Sequence, residues 1–97
     1  MNQIDKATRF RSLHEAAGAF VIGNAWDAGS ARVLAGAGLV ALATSSGAAA
    51  GVLGRRDGSV SRDEAMANAR AVAGACDLPV SGEIGRASCR ERVYDDV

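Results

Sequence analysis

The sequence predicts an α/β fold: one leading helix, then a β-α-β-α-β succession whose strands lie parallel in a sheet covered by helices. Three observations carry this expectation. Short β-prone runs (Phe20-Val21-Ile22, Leu39 to Ala43, Leu78 to Ser81) alternate with stretches of helical period. Punctuation by Gly, Ser, Asp or Pro separates each run from the helix beside it. Ala and Gly number 21 and 12 of the 97 residues, so the helix stripes are narrow enough for close packing on a sheet.

The elements follow in order. Asn2 to Gly18 reads as a helix, with Phe10, Leu13 and Ala17 on one face and Gly18 as its stop. Phe20-Val21-Ile22 opens a buried strand that ends near Ala25. Asp27 caps the next helix, whose stripe is Ala31, Leu34, Ala35 and Gly38. Leu39 to Ala43 is apolar and too short for a helix before Thr44-Ser45-Ser46-Gly47, and reads as the second strand. Ala48 to Val60 holds Gly51, Gly54 and Gly58 without a sustained period, and reads as a long loop of the kind that often carries function. Ser61-Arg62-Asp63-Glu64 is a capping box. It opens a helix with Ala65, Ala69, Val72, Ala73 and Cys76 on its stripe, and Asp77-Leu78-Pro79 stops it. The third strand runs from Leu78 to Ser81. An open doubly wound sheet and a (β/α)8 barrel both begin this way, and periodicity does not separate them.

Composition narrows the function classes. The formal net charge is zero, which gives no general case for nucleic acid or an anionic membrane as partner. No apolar run reaches the ~18 residues of a membrane span, and no basic patch leads into an apolar stretch at the N-terminus. Cys76 and Cys89 match no metal-ligand spacing, so a reduced, cytoplasmic setting is the default expectation. Gly36-Ala-Gly38-Leu-Val-Ala41 has the letters of a dinucleotide fingerprint in the wrong context, since it closes a helix and opens a strand. Ser45-Ser46-Gly47 lacks the Gly of a nucleophile elbow. His14 has no second His and reads as a helix-packing or surface residue.

One joint pattern is more specific. It comprises Asn24-Ala25-Trp26-Asp27-Ala28-Gly29-Ser30-Ala31-Arg32, Thr44-Ser45-Ser46-Gly47, Leu53-Gly54-Arg55-Arg56-Asp57-Gly58, the helix start at Ser61 to Glu64, and Leu78-Pro79-Val80-Ser81. In order and spacing it resembles the isocitrate lyase/phosphoenolpyruvate mutase superfamily. Its methylisocitrate-lyase-like and oxaloacetate-decarboxylase-like members are the most similar. The resemblance covers residues 9 to 82 or so.

The resemblance implies the N-terminal β-α-β-α-β portion, three strands of eight, of a (β/α)8 TIM barrel preceded by a helix. It implies an enzyme that cleaves or forms a C–C or C–P bond in small 2-oxo or 2-hydroxy carboxylates through an enolate, with Mg²⁺ as Lewis acid. The expected partner is a small carboxylate, and the whole protein is expected to be a homo-oligomer. Active sites of such barrels lie at the C-terminal ends of the strands. Ser45, Ser46 and Gly47 then match the stretch that holds the substrate's carboxylate or phosphonate. Hydroxyls and amides without bulky side chains suit an anion, although the same residues also suit a turn that ends a strand. Asp57 matches a loop aspartate implicated in catalysis; Asp57-Gly58 is equally good turn chemistry. Asp27 serves as a helix cap and Trp26 packs at the barrel mouth, with a role around the substrate as the second reading of each. Glu83 stands at the first metal-ligand position, where the family has Asp. The second acid would fall at Gly85, which has no side chain to ligate, and the family's Lys-Lys-Cys-Gly-His run is absent.

Ile84 to Val93 also resembles the translation of a sequencing-adapter oligonucleotide. The expected organisation is therefore residues 1–83 as a partial barrel and 84–97 as a non-native tail, with the isolated chain inactive. The competing reading is a self-contained βαβαβ module that binds a small anion or regulates, without catalysis.

Overall fold

The computed structural model describes residues 2–82. The expectations at Glu83 and at 84–97 lie outside the described residues. The chain forms α1 (Gln3–Glu15), β1 (Gly23–Ala25), α2 (Ala28–Gly36), β2 (Leu42–Thr44), α3 (Ser46–Val52), α4 (Arg62–Gly74) and β3 (Val80–Ser81). The three strands form one parallel sheet in the order β1-β2-β3. Gly23 pairs with Leu42 and Ala25 with Thr44, while Leu42 and Ala43 pair with Val80 and Ser81.

Alternation along the strands separates two faces of the sheet. Ala25 and Leu42 are fully buried and form the core with Ala31 of α2 and Val72 of α4. Leu34, Leu39, Leu78, Val80 and Cys76 pack around them. Burial of side chains such as Leu42 and Val72 stabilises the fold by about 1.5–3 kcal/mol each. The residues between them, Asn24, Ala43 and Ser81, form a register row on the other face, where Asn24 and Ser81 are exposed. Gly23 has no side chain because Leu39, Leu42 and Leu34 already occupy that space.

Local chemistry sets the helix ends. Asn2 caps α1 and forms a capping box with Asp5. Asp27 caps α2, and its carboxylate accepts from the Ser30 amide at 2.8 Å. Ser61 and Glu64 make the expected reciprocal box at α4. The C-terminus of α2 closes in a Schellman motif: Gly38 takes a positive φ of 99°, and the Gly38 and Leu39 amides donate to Ala35 and Leu34.

Several boundaries differ from the sequence expectation, each for a physical reason. The helical stripe on α1 is Lys6, Phe10 and Leu13; Ala17 lies past the helix end and is exposed. Lys6 reaches the C-terminus of α4, where its ammonium donates to the Ala73 and Cys76 carbonyls at 3.0 Å. That fits the preference of a cation for a helix C-terminus. Phe20-Val21-Ile22 precedes the ladder rather than forming it. Val21 is 69% exposed, and Phe20 packs edge-on against His14, which packs in turn against Phe10. His14 is thus a packing residue, as expected. β2 starts at Leu42, three residues later than the apolar run. Leu39 is consumed by the Schellman motif, where it packs against the core beside Leu34. β3 shortens to Val80–Ser81, and Leu78 packs laterally while the buried Pro79 accepts from the Leu42 amide. The largest difference is α3, which occupies the first five residues, Ala48 to Val52, of the stretch expected to be loop. Ser45 caps it, and three consecutive alanines, Ala48 to Ala50, favour it.

In the protein carrying this segment, Leu42→Ala should cost about 2–5 kcal/mol because it opens a cavity at the centre of the sheet. Ser61→Ala should cost about 0.5–2 kcal/mol for the lost cap. Urea denaturation measures both, and a Leu42→Ala penalty no larger than that of Ser61→Ala would contradict the placement of the core.

Candidate active site

Parallel strands deliver their C-terminal ends to one side of the sheet. β1 ends at Ala25 and β2 at Thr44, which are register partners, so Trp26 and Ser45 follow as neighbours at that rim. Trp26 is 56% exposed. It therefore does not pack into the described core. Its backbone is held from both sides: its amide donates to the Ser30 hydroxyl at 2.8 Å, and its carbonyl accepts from Asn68 of α4 at 2.9 Å. Asp27 serves as the cap of α2. The Ser30 amide, and secondarily the Ser30 hydroxyl, holds its carboxyl below the usual carboxylate range.

Ser45, Ser46 and Gly47 form the junction between β2 and α3. Extended backbone at Ser45 lets its hydroxyl accept from the Ala48 amide at 3.3 Å. Ser46 and Gly47 occupy the first turn of α3, where helix geometry offers their amides no acceptor within the helix. The residues are half-buried, at the lip of the sheet.

Asp57 returns to this junction from the following loop. The Ser46 hydroxyl donates to Asp57 Oδ1 at 3.3 Å. A methyl group built on Gly47 would lie 3.6 Å from the Asp57 carboxyl, in ordinary van der Waals contact, so that carboxyl stands beside the Gly47 backbone. The structure thus brings together Ser45, Ser46, Gly47 and Asp57, the four residues singled out from sequence and present among the described ones.

The loop that carries Asp57 is fully punctuated. Gly54, at a positive φ of 72°, ends α3 in a second Schellman motif: the Gly54 amide donates to Gly51 and the Arg55 amide to Ala50 at 2.8 Å. Arg56 to Ser59 then form a turn with Gly58 at a positive φ of 87° in its third position, and the Ser59 amide donates to Arg56. Asp57 is the second residue of that turn, so turn chemistry and proximity to Ser46 coexist. Arg55 donates to both oxygens of Glu64, at 2.6 and 2.7 Å. The Ser61 amide is the larger influence and Arg55 the next; together they hold the Glu64 carboxyl below its usual range. Sequence reasoning placed Glu64 in a cap but missed its ion pair with Arg55, for which sequence spacing carries no signal.

Mg²⁺ prefers six oxygen ligands, usually with one or two carboxylates. Among the described residues no group of three or more His, Cys, Asp or Glu side chains could hold a metal. Asp57, with serine hydroxyls and amides about it, does not make such a site by itself.

The model for phosphoenolpyruvate phosphomutase matches residues 10–92. The chain belongs to this family. Its structure is similar to that of a candidate lyase/mutase from Burkholderia cenocepacia J2315, with a TM-score of 0.76 and 45% identity over 78% of this chain. It is also similar to 2,3-dimethylmalate lyase, a PEP mutase/isocitrate lyase superfamily member, with a TM-score of 0.61 and 32% identity over 70% of this chain. The chain spans only 27% and 25% of those two structures. No curated protein matches it. The expected fold class holds: the segment has the β-α-β-α-β succession, after a leading helix, with which barrels of this superfamily begin, and an additional short helix, α3, after β2. No helix among the described residues is long and apolar enough to cross a membrane.

The depressed Glu64 carboxyl makes a pH prediction. Its folded value lies below the unfolded one, so its stabilising contribution is complete above the ordinary carboxylate range. That contribution is lost as pH falls through the lowered folded value. Glu64→Gln keeps the capping geometry but not the charge. The stability gap between wild type and this variant should therefore shrink as pH falls from about 6 to about 3. A gap independent of pH over that range would show that neither the Ser61 amide nor Arg55 favours the ionised carboxyl.

Proposed function

We propose that the protein carrying this segment is a lyase-type enzyme of small 2-oxo or 2-hydroxy carboxylates, and that residues 1–83 form the first three strands of its barrel. The observation that carries this reading is the Ser46–Asp57 contact of 3.3 Å, which joins the two motifs of the resemblance at the C-terminal end of β2. Family membership and the two similar structures support the lyase or mutase class.

In this reading the rim of β2 is the carboxylate site. The Ser45 hydroxyl accepts from the Ala48 amide, which leaves its own proton to donate to a substrate carboxylate oxygen. The Gly47 amide, in the first turn of α3, supplies a second donor of fixed direction. Asp57 stands beside these donors on its turn, where its carboxylate acts on the substrate during bond breaking or as the site closes. Mg²⁺ supplies Lewis-acid stabilisation of an enolate oxygen in this class of chemistry. The described residues do not by themselves fit that ion, and Glu83 is the candidate ligand in this reading. Substrate, cofactor and the protein's further strands together complete the site, so the 97-residue chain alone is inactive.

Ser45→Ala in the full-length protein should remove one charge-assisted hydrogen bond, worth about 1.5–3 kcal/mol, or roughly tenfold to hundredfold in kcat/KM. Because Ser45 also caps α3, stability should fall by about 1 kcal/mol. Asp57→Asn keeps the turn and removes the charge, so kcat should fall more than KM rises. Assays with methylisocitrate, oxaloacetate and 2,3-dimethylmalate check both variants. Wild-type kcat/KM in both, with any of these that the parent enzyme turns over, would reduce the cluster to a helix cap and a turn.

The segment alone should not show a sharp cooperative thermal transition. β1 and β3 each present an edge without a described partner, and the core is built largely from alanines. A sharp calorimetric transition from a monomer would establish the segment as an independent module instead.

A further inference from the structure

Asp57 lies on an exposed turn, and a single hydroxyl contact at 3.3 Å is a weak anchor for a carboxylate that must act at a defined place. Two residues earlier, the Arg55 backbone is fixed by the Schellman motif that ends α3. Its guanidinium then crosses to the first turn of α4 and meets both Glu64 oxygens. Glu64 is itself fixed, because its Oε1 accepts from the Ser61 amide at 3.1 Å and its amide donates to the Ser61 hydroxyl at 3.2 Å. The ion pair therefore bridges two rigid points, the C-terminus of α3 and the N-terminus of α4, and Asp57 sits on the turn between them.

We propose that Arg55 and Glu64 are positioning residues that hold the Asp57 turn against the Ser45-Ser46-Gly47 junction. This rests on the reading of Asp57 as a residue that acts on substrate. Glu64's structural duty in the capping box is separable from the bridge, since Gln also serves at that position of a capping box. Without the bridge the turn keeps its own hydrogen bond from Ser59 to Arg56 but can swing as a unit about Gly54 and Ser61. The carboxylate is then present at the rim for a smaller fraction of the time. That lowers the rate of the chemical step while leaving the substrate's own contacts at Ser45 and Gly47 in place.

The pair is half-exposed, and such pairs contribute modestly. Arg55→Met and Glu64→Gln in the full-length protein should each lower kcat by about two- to fivefold with little change in KM. Arg55→Lys should restore part of the loss. In an Asp57→Asn background, Arg55→Met should have no further effect, because the bridge works through that carboxylate. Amide hydrogen exchange across residues 54–60 should be faster in Arg55→Met than in wild type, a readout that needs no substrate. Unchanged exchange, or a full Arg55→Met penalty in the Asp57→Asn background, overturns the proposal. A silent Asp57→Asn overturns it as well, and the Ser45→Ala result then tells whether the carboxylate site stands without Asp57.

Discussion

The central strand is the constraint on which the rest depends. β2 hydrogen-bonds on both sides, so its register sets where β1 and β3 end and hence where the rim residues stand. Its Leu42 side chain is fully buried under α2 and α4, in a core otherwise made from Ala25, Ala31 and Val72. Small residues are needed there because two helices and a parallel ladder converge on a single leucine. Gly23 answers the same demand from β1, where any side chain would compete with Leu39 for space.

This packing directs the chemistry to one end. With one sheet face committed to the helices, the opposite face carries Asn24, Ala43 and Ser81 in one row, and the strands' C-terminal ends carry Trp26 and Ser45. α3 begins at once after β2, and its short span returns the chain within reach of its own N-terminus. Asp57 can therefore meet Ser46 across only eleven positions. A longer helix would have carried the turn away from the rim. Hydroxyls, first-turn amides and one carboxylate are thus gathered at the C-terminal end of β2, the end of the strands at which (β/α)8 barrels carry their active sites.

Most of the architecture was legible in the residues. The helix after Asp27 and the helix after Ser61 start where their caps predict, since a cap is satisfied by an amide only three positions away. The parallel sheet followed from short runs separated by helices. The strand limits were less legible. Leu39 and Leu78 are as apolar as Leu42, yet they pack beside the ladder because the chain is still leaving a helix or entering a strand at those points. The helix α3 escaped notice for a related reason. Seven residues, most of them Ala or Gly, show no amphipathic period, and Gly54 reads equally as a loop glycine or as the left-handed residue that ends a helix.

What the sequence determined by itself is therefore local: caps, the Asp57-Gly58 turn, the order of elements apart from α3, and the motifs that mark the family. Their chemistry is complete within a few residues, so it can be read in one dimension. Tertiary structure alone decided the contacts between distant positions. The Ser46 hydroxyl on Asp57, Arg55 on Glu64, Asn68 on the Trp26 carbonyl and Lys6 on the end of α4 all depend on where a helix returns the chain. That return is set by how closely small side chains let the helices approach the sheet, a quantity that belongs to the packed core and not to any one segment.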